Sequence, residues 1–293
     1  MDEIYSYGML TASTVMFGFM FFFKDIFRRN YGSGLKATFV MSLGGNIVGA
    51  AVLLLIKSDL ALEFTPFAFI MALCSTANGL LFSFCSLKAL GKINLSLYSL
   101  FSMLGGMALP FLSGILFHGE PFTVGKAVCF VVITLALLMT IEKGEKKGNI
   151  LFYLGVFTFN GMSGVISKLY QALPFDKISP TGYSVLKSIT SLTVCLVVLY
   201  FLRKDKRKLN WSCIVAMGGS GILSHLGNWL LQVSLVTLPA SAQYPFVTGG
   251  TMIVSTVISM FTDKKPSKKE ICAVCLSFIG LVLFFVIPDI KIF

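Results

Sequence analysis

Residues 89–139, ALGKINLSLYSLFSMLGGMALPFLSGILFHGEPFTVGKAVCFVVITLALLM, lie without a gap over residues 234–284, SLVTLPASAQYPFVTGGTMIVSTVISMFTDKKPSKKEICAVCLSFIGLVLF, when the chain is shifted by 145 positions. Leu90/Leu235, Ser96/Ser241, Phe101/Phe246, Gly105/Gly250, Met107/Met252, Pro121/Pro266 and Leu138/Leu283 coincide. The shared pattern says more than the identities, because apolar composition inflates chance agreement. Each copy reads as a short turn, a helix carrying a small-residue pair, a polar hinge with proline, and a second helix.

Around this repeat the composition leaves one class of protein. Of 293 residues, 56% are hydrophobic and 13% charged, and the mean hydropathy is +0.85. Such a chain belongs in a bilayer. About 20 apolar residues cross the hydrocarbon as a helix, and ten runs of that kind are expected: 4–23, 35–56, 66–87, 94–117, 126–141, 150–169, 180–202, 211–235, 240–261 and 270–287. No linker has room for a soluble domain, so the fold class is an all-α integral membrane protein. The opening residues, MDEIYSYGML, lack a basic n-region and cleavage site, so the first run is expected to stay as a span.

The 145-residue shift places spans four and five over nine and ten. With five helices per unit, an odd number, the second copy must enter the membrane from the opposite side. Two inverted five-helix repeats are expected, residues 1–147 and 148–293. The earlier spans align through FFFKDIF with VISKLYQ, pairing Lys24 with Lys168, and through LKATFV with LKSITS, pairing Lys36 with Lys187.

The net charge of +11 is first a topology signal. Eighteen of the 24 Lys and Arg residues, among them Lys24, Arg28, Arg29 and the RKDKRK run at 203–208, fall at the odd-numbered connections. By the positive-inside rule those connections are cytoplasmic and both termini outside. Nucleic acid is not expected as a partner. Seven cysteines, an odd number, all fall in or beside apolar runs, which argues against a disulfide framework. With two histidines and no HExxH, neither a metal centre nor catalytic machinery is expected, and no cofactor.

Chemistry therefore has to come from polar groups inside the spans. Lys187 lies in PTGYSVLKSITSLTVCLVVLYFL, residues 180–202, and an ammonium near the bilayer centre costs roughly 3 kcal/mol. The alternative is that it snorkels to the interface, the reading preferred for Lys36 near its helix end. Asn160, His225, Asn228, Gln243 and Tyr244 are similarly deep, with His225 and Asn228 on one helical face. Singly, each could bond to a neighbouring helix. Together they are expected to line a cavity with Tyr98 and Ser99, the repeat counterparts of Gln243 and Tyr244. Pro110 and Pro245 are expected to kink their helices. Gly249 and Gly250 either pack closely or flex for gating, with Lys36 near one mouth.

Two five-helix units, the basic residue early in spans two and seven, and the ending LVTLPASAQYPFVTGGTMIVSTVISMFTDKKPSKKEICAVCLSFIGLVLFF resemble the EamA branch of the drug/metabolite transporter superfamily. The ending also resembles the small multidrug resistance proteins, with Tyr244, Gly249 and Gly250 in the matching helix. The resemblance implies a plasma-membrane carrier, working as a monomer, that moves a small polar metabolite by alternating access. Two departures stand out. No expected span holds an acidic residue in its interior, which removes the usual proton-coupled cation site. The acidic hinge residue appears as Glu120 in the first half, but the second half reads TDKKPS. A carboxylate-bearing or zwitterionic solute is the expected substrate. The alternative is a quaternary ammonium in an aromatic cage, drawn from the 28 Phe, 9 Tyr and 2 Trp. A membrane enzyme or a passive bundle is the remote alternative.

Overall fold

The computed structural model describes residues 3–57, 62–118, 123–140, 147–202, 208–234, 237–238, 240–263 and 265–287. All regular structure among them is helical: α1 (Glu3–Tyr31), α2 (Leu35–Lys57), α3 (Pro66–Leu90), α4 (Leu95–His118), α5 (Val124–Thr140), α6 (Lys147–Ala172), α7 (Pro180–Phe201), α8 (Trp211–Ser234), α9 (Ala240–Met260) and α10 (Lys268–Val286). Each matches one of the ten expected runs. Six, α1 to α4, α6 and α7, contain stretches long and apolar enough to cross a membrane. The chain is a multi-pass helical membrane protein.

Local chemistry fixes where the helices begin. Thr65 caps α3 by accepting from the Ala68 amide, and Ser179 caps α7 by accepting from Gly182, each followed by proline at the first helical position. Asn210 caps α8 through the Cys213 amide, and a Ser267–Glu270 capping box opens α10. α2, α3 and α4 start at Leu35, Pro66 and Leu95, while α7, α8 and α9 start at Pro180, Trp211 and Ala240, each 145 residues later. The turns that close α3 and α8 match too: Lys92 and Ile93 donate to Ala89 O, as Thr237 and Leu238 donate to Ser234 O.

This register corrects the pairing of lysines. Matching the two Leu-Lys dipeptides shifts the chain by six residues too many. With the helix starts aligned, Lys187 corresponds to Ser42, and Lys36 to Thr181. A second correction concerns α1, which runs to Tyr31 instead of ending near residue 23. Lys24 and Asp25 are therefore inside it, and Asp25 is a buried acid within a span.

Packing follows the same arithmetic. α1 packs on α8 and α9 while α6 packs on α3 and α4, and α2 meets α7, α4 meets α9, and α5 meets α10. Asn46 of α2 donates to Ser191 of α7 at 2.9 Å, a bond between residues 145 apart. Small residues set the approach, as expected where no hydrophobic drive separates helix from lipid. A Cβ on Gly105 would lie 1.9 Å from Phe157 O, and one on Gly250 2.4 Å from Thr14 Cγ2.

Two apolar clusters close the bundle at opposite ends. One gathers Phe27, Ala37, Met41, Cys213, Ala216 and Met217 from α1, α2 and α8, beside the α1/α2 and α7/α8 connections. The other gathers Ala68, Met71, Ala72, Ile166, Tyr170 and Tyr183 from α3, α6 and α7, beside the α2/α3 and α6/α7 connections. Cys213, Ala216 and Met217 stand 145 residues after Ala68, Met71 and Ala72. Polar ties join connections at each end. Arg29 pairs with Asp25 and Asp263, Asn94 donates to Glu270, and Asn210 to Asn30 at one end. At the other, Glu63 accepts from the Ser179 amide and hydroxyl. The described parts of the first, third, seventh and ninth connections thus share one face; the fifth connection (141–146), residues 203–207 and the hinge residue Glu120 lie outside those described.

Candidate functional site

Between the two apolar clusters lies a cavity of ≈ 250 Å³ walled by α1, α2, α3, α6, α7 and α8. Its wall is mostly hydroxyl. Ser42 and Asn46 come from α2, Ser75, Thr76 and Ser83 from α3, and Ser163 and Ser167 from α6; α7 gives Ser184, Ser188 and Ser191, and α8 gives Ser220 and Ser224. On α2, α6, α7 and α8, spacings of three or four residues put these groups on one face of the helix. Several satisfy themselves by bonding back along the helix: Ser167 to Ser163 O at 2.9 Å, Ser184 to Pro180 O at 2.9 Å and Ser188 to Ser184 O at 2.9 Å. Their lone pairs remain for the cavity. Among the described residues, the hydroxyls of Ser42, Ser83, Ser220 and Ser224 make no hydrogen bond and are free to donate.

An adjoining lobe of ≈ 280 Å³ shares Lys24, Ser83, Ser163, Ser167, Ser224 and Asn228 with the first. It is the less polar of the two, lined by Phe17, Met20 and Phe21 of α1, Phe82 of α3, Met103 and Gly106 of α4, Leu231 of α8 and Val247 of α9. Asn160 reaches it from α6 while donating to Ser102 O at 2.6 Å.

Two ammonium groups face this space. Lys24, 8% exposed, lies 4.6 Å from the centre of the Phe82 ring. Lys187 lies 4.7 Å from the centre of Tyr183, whose ring stacks on Tyr170 at 3.9 Å and whose hydroxyl meets Ser75 at 3.2 Å. The aromatic faces offer partial compensation for buried charge. Among the described residues, no carboxylate lies within 4.0 Å of either nitrogen, and the cavity wall holds no Asp or Glu. Asp25, next to Lys24 in sequence, accepts from Arg28 at 2.9 Å and Arg29 at 2.7 Å instead. The lysines come from opposite ends of the bundle. Each is seven residues inside its helix, about 10 Å at 1.5 Å per residue, Lys187 counted from Pro180 and Lys24 from Tyr31.

Of the residues expected at the site, Lys187, His225, Asn228 and Asn160 line these lobes. His225 contacts Gly221 O through Nδ1 at 2.9 Å and Asn46 Oδ1 through Nε2 at 3.2 Å, which joins α8 to α2. Tyr98, Ser99 and Gln243 do not line the lobes. Tyr98 is wholly buried, donates to Ser86 at 2.7 Å and meets Phe21 edge-on. Ser99 bonds back to Ser96 O, and Gln243 donates to Ser234 at 2.9 Å. Tyr98 thereby ties α4 to α3, and Gln243 ties α9 to α8. Lys36 sits at the second residue of α2, away from the cavity. Pro110 lies within α4, which continues through it, and Gly249 is buried in α9. The side chains of Tyr244 and Pro245 are outside the described set.

Sequence reasoning missed Lys24 and the serines. Lys24 was hidden by ending α1 too early, yet Asp25 followed at i+3 and i+4 by Arg28 and Arg29 signals a helix that continues. The serines recur every three or four residues on separate spans, the one pattern that marks them as a shared wall.

No family model matches the sequence, and no curated protein matches it. Twenty-eight chains of known structure match. One solved crystal structure superposes with a TM-score of 0.63 over 96% of this chain and 96% of its own length, at 12% identity. At that identity the likeness is one of fold.

Proposed function

We propose that the chain is a ten-span carrier of the EamA type, built as two inverted five-helix repeats, that moves a small carboxylate-bearing metabolite across the plasma membrane by alternating access. The observation that carries this reading is a polar cavity, with an ammonium towards each end, lying between two apolar clusters to which α3 and α8 contribute residues that correspond at a spacing of 145. Matched helix starts, matched turns and the Asn46–Ser191 bond support the repeat. A carrier needs a central site and two closures that open in turn, and repeats inverted about the α2/α7 contact supply two equivalent ones. Opening the cluster of α1, α2 and α8 would expose the Lys24 end. Opening that of α3, α6 and α7 would expose the Lys187 end.

The chain binds and rearranges without covalent chemistry, needs no cofactor, and encloses its cavity within one copy. The aromatic-cage alternative gains nothing from the cavity, because two lysines repel a quaternary ammonium. Trp229 donates to Thr181 at 3.1 Å and lines neither lobe. Counterflow of radiolabelled solutes in proteoliposomes tests the reading. Saturable uptake that requires the same solute inside supports a carrier; non-saturable flux, or none across a panel of anionic, zwitterionic and cationic metabolites, refutes it.

A further inference from the structure

We propose that the preferred solute carries two negative groups, a dicarboxylate or a phosphate ester, and lies lengthwise in the cavity with one group towards Lys24 and the other towards Lys187. The inference rests on the carrier reading and narrows its substrate. Both lysines face one connected space whose described wall has no carboxylate. A zwitterion such as an amino acid brings an ammonium into this space and finds no acid to receive it. A monoanion satisfies one lysine and leaves the other unpaired. Two unpaired like charges in a partly desolvated space repel each other, and a dianion removes both penalties together.

Dimensions agree. α7 has 22 residues, about 33 Å at 1.5 Å per residue. Subtracting about 10 Å at each end leaves the lysine backbones about 13 Å apart along the bundle axis. With the Lys187 nitrogen lying back over Tyr183, one turn nearer its own end of the bundle, the two charges bracket a compact solute of a few carbons. The free hydroxyls of Ser42, Ser83, Ser220 and Ser224 supply the remaining donors. The apolar lobe beside Phe21 and Met103 takes whatever uncharged portion the solute has.

The test uses the purified full-length protein in detergent, with succinate, glycerol phosphate, butyrate, γ-aminobutyrate and putrescine as probes in calorimetry and thermal-shift assays. A dianion is expected to bind at least about tenfold more tightly than butyrate or γ-aminobutyrate. Lys24→Gln and Lys187→Gln should each weaken that dianion by at least about tenfold, with Lys24→Arg and Lys187→Arg recovering most of the loss. Neither glutamine variant should lower thermal stability, since each removes an unpaired buried charge. Tightest binding by γ-aminobutyrate or putrescine overturns the inference. So does failure of both dianions to bind at about 10 mM, a concentration that nearly saturates a site with a Kd of ~1 mM. Dianion binding without counterflow refutes the carrier and leaves this inference standing, while counterflow of a zwitterion alone does the reverse.

Discussion

Gly221 of α8 crosses α2 at Gly45, and the crossing is asymmetric. A Cβ built on Gly221 lies 2.3 Å from Gly45 O and 2.6 Å from Gly45 Cα, whereas a Cβ built on Gly45 lies 3.5 Å from Gly221 Cα. In the first case the obstacle is backbone, which cannot rotate away. Restoring ordinary contact requires α2 and α8 to part by about 1 Å, and overpacking of this kind costs about 1–3 kcal/mol. Against that stands a gain of up to ~1 kcal/mol from replacing glycine by alanine within a helix. Gly221→Ala should therefore be destabilised by about 1–3 kcal/mol relative to Gly218→Ala, whose Cβ meets nothing within 4 Å. Gly45→Ala, from the same crossing, should behave like Gly218→Ala. Thermal midpoints of the three variants in one detergent read out the order directly. Because Gly45 and Gly221 both line the cavity, Gly221→Ala should also weaken solute binding. Equal midpoints for Gly45→Ala and Gly221→Ala would refute this account of the α2/α8 crossing.

Other consequences are separable from that one. Lys187→Gln and Lys24→Gln should each cut counterflow by at least about tenfold, equivalent to ~1.4 kcal/mol of lost interaction, while Lys36→Gln should transport at close to the native rate. Tyr98→Phe should cost about 1 kcal/mol of stability through the lost bond to Ser86, with solute affinity unaltered. A single cysteine at Lys208 or Lys265, on a cysteine-free background, should resist an impermeant maleimide added outside intact cells, whereas one at Asp176 should react. The reversed pattern would invert the charge-derived orientation but leave the site unchanged.

The fold was largely legible because its dominant constraint is additive. Every span must be apolar over about 20 residues, so a running sum finds it, and the ten runs match the ten helices. Backbone features recur at the same 145-residue spacing that the sequence overlay uses: the caps at Thr65 and Asn210, and the turns at Ala89 and Ser234. The end of α1 was harder to see, because a hydropathy reading stops at the first charges. Asp25, Arg28 and Arg29 neutralise one another along the helix and let it continue. The site was legible only where depth alone decides, as for Lys187 and His225. Tyr98 and Gln243 are equally deep but point into packed contacts, a choice set by helix rotation and not by position along the chain. The lysine pair failed for a related reason: a shared Leu-Lys dipeptide outweighed the helix starts, which carry the true register.

The central claim, a cavity reached from each face in turn, is tested most directly by a single cysteine at Ser224, which lines both lobes. Sealed vesicles of each orientation, carrying the protein on an otherwise cysteine-free background, would be exposed to an impermeant maleimide with and without transported solute. Labelling from both faces, suppressed from both by the solute, is the result this account predicts. Labelling confined to one face, whatever solute is present, would contradict it.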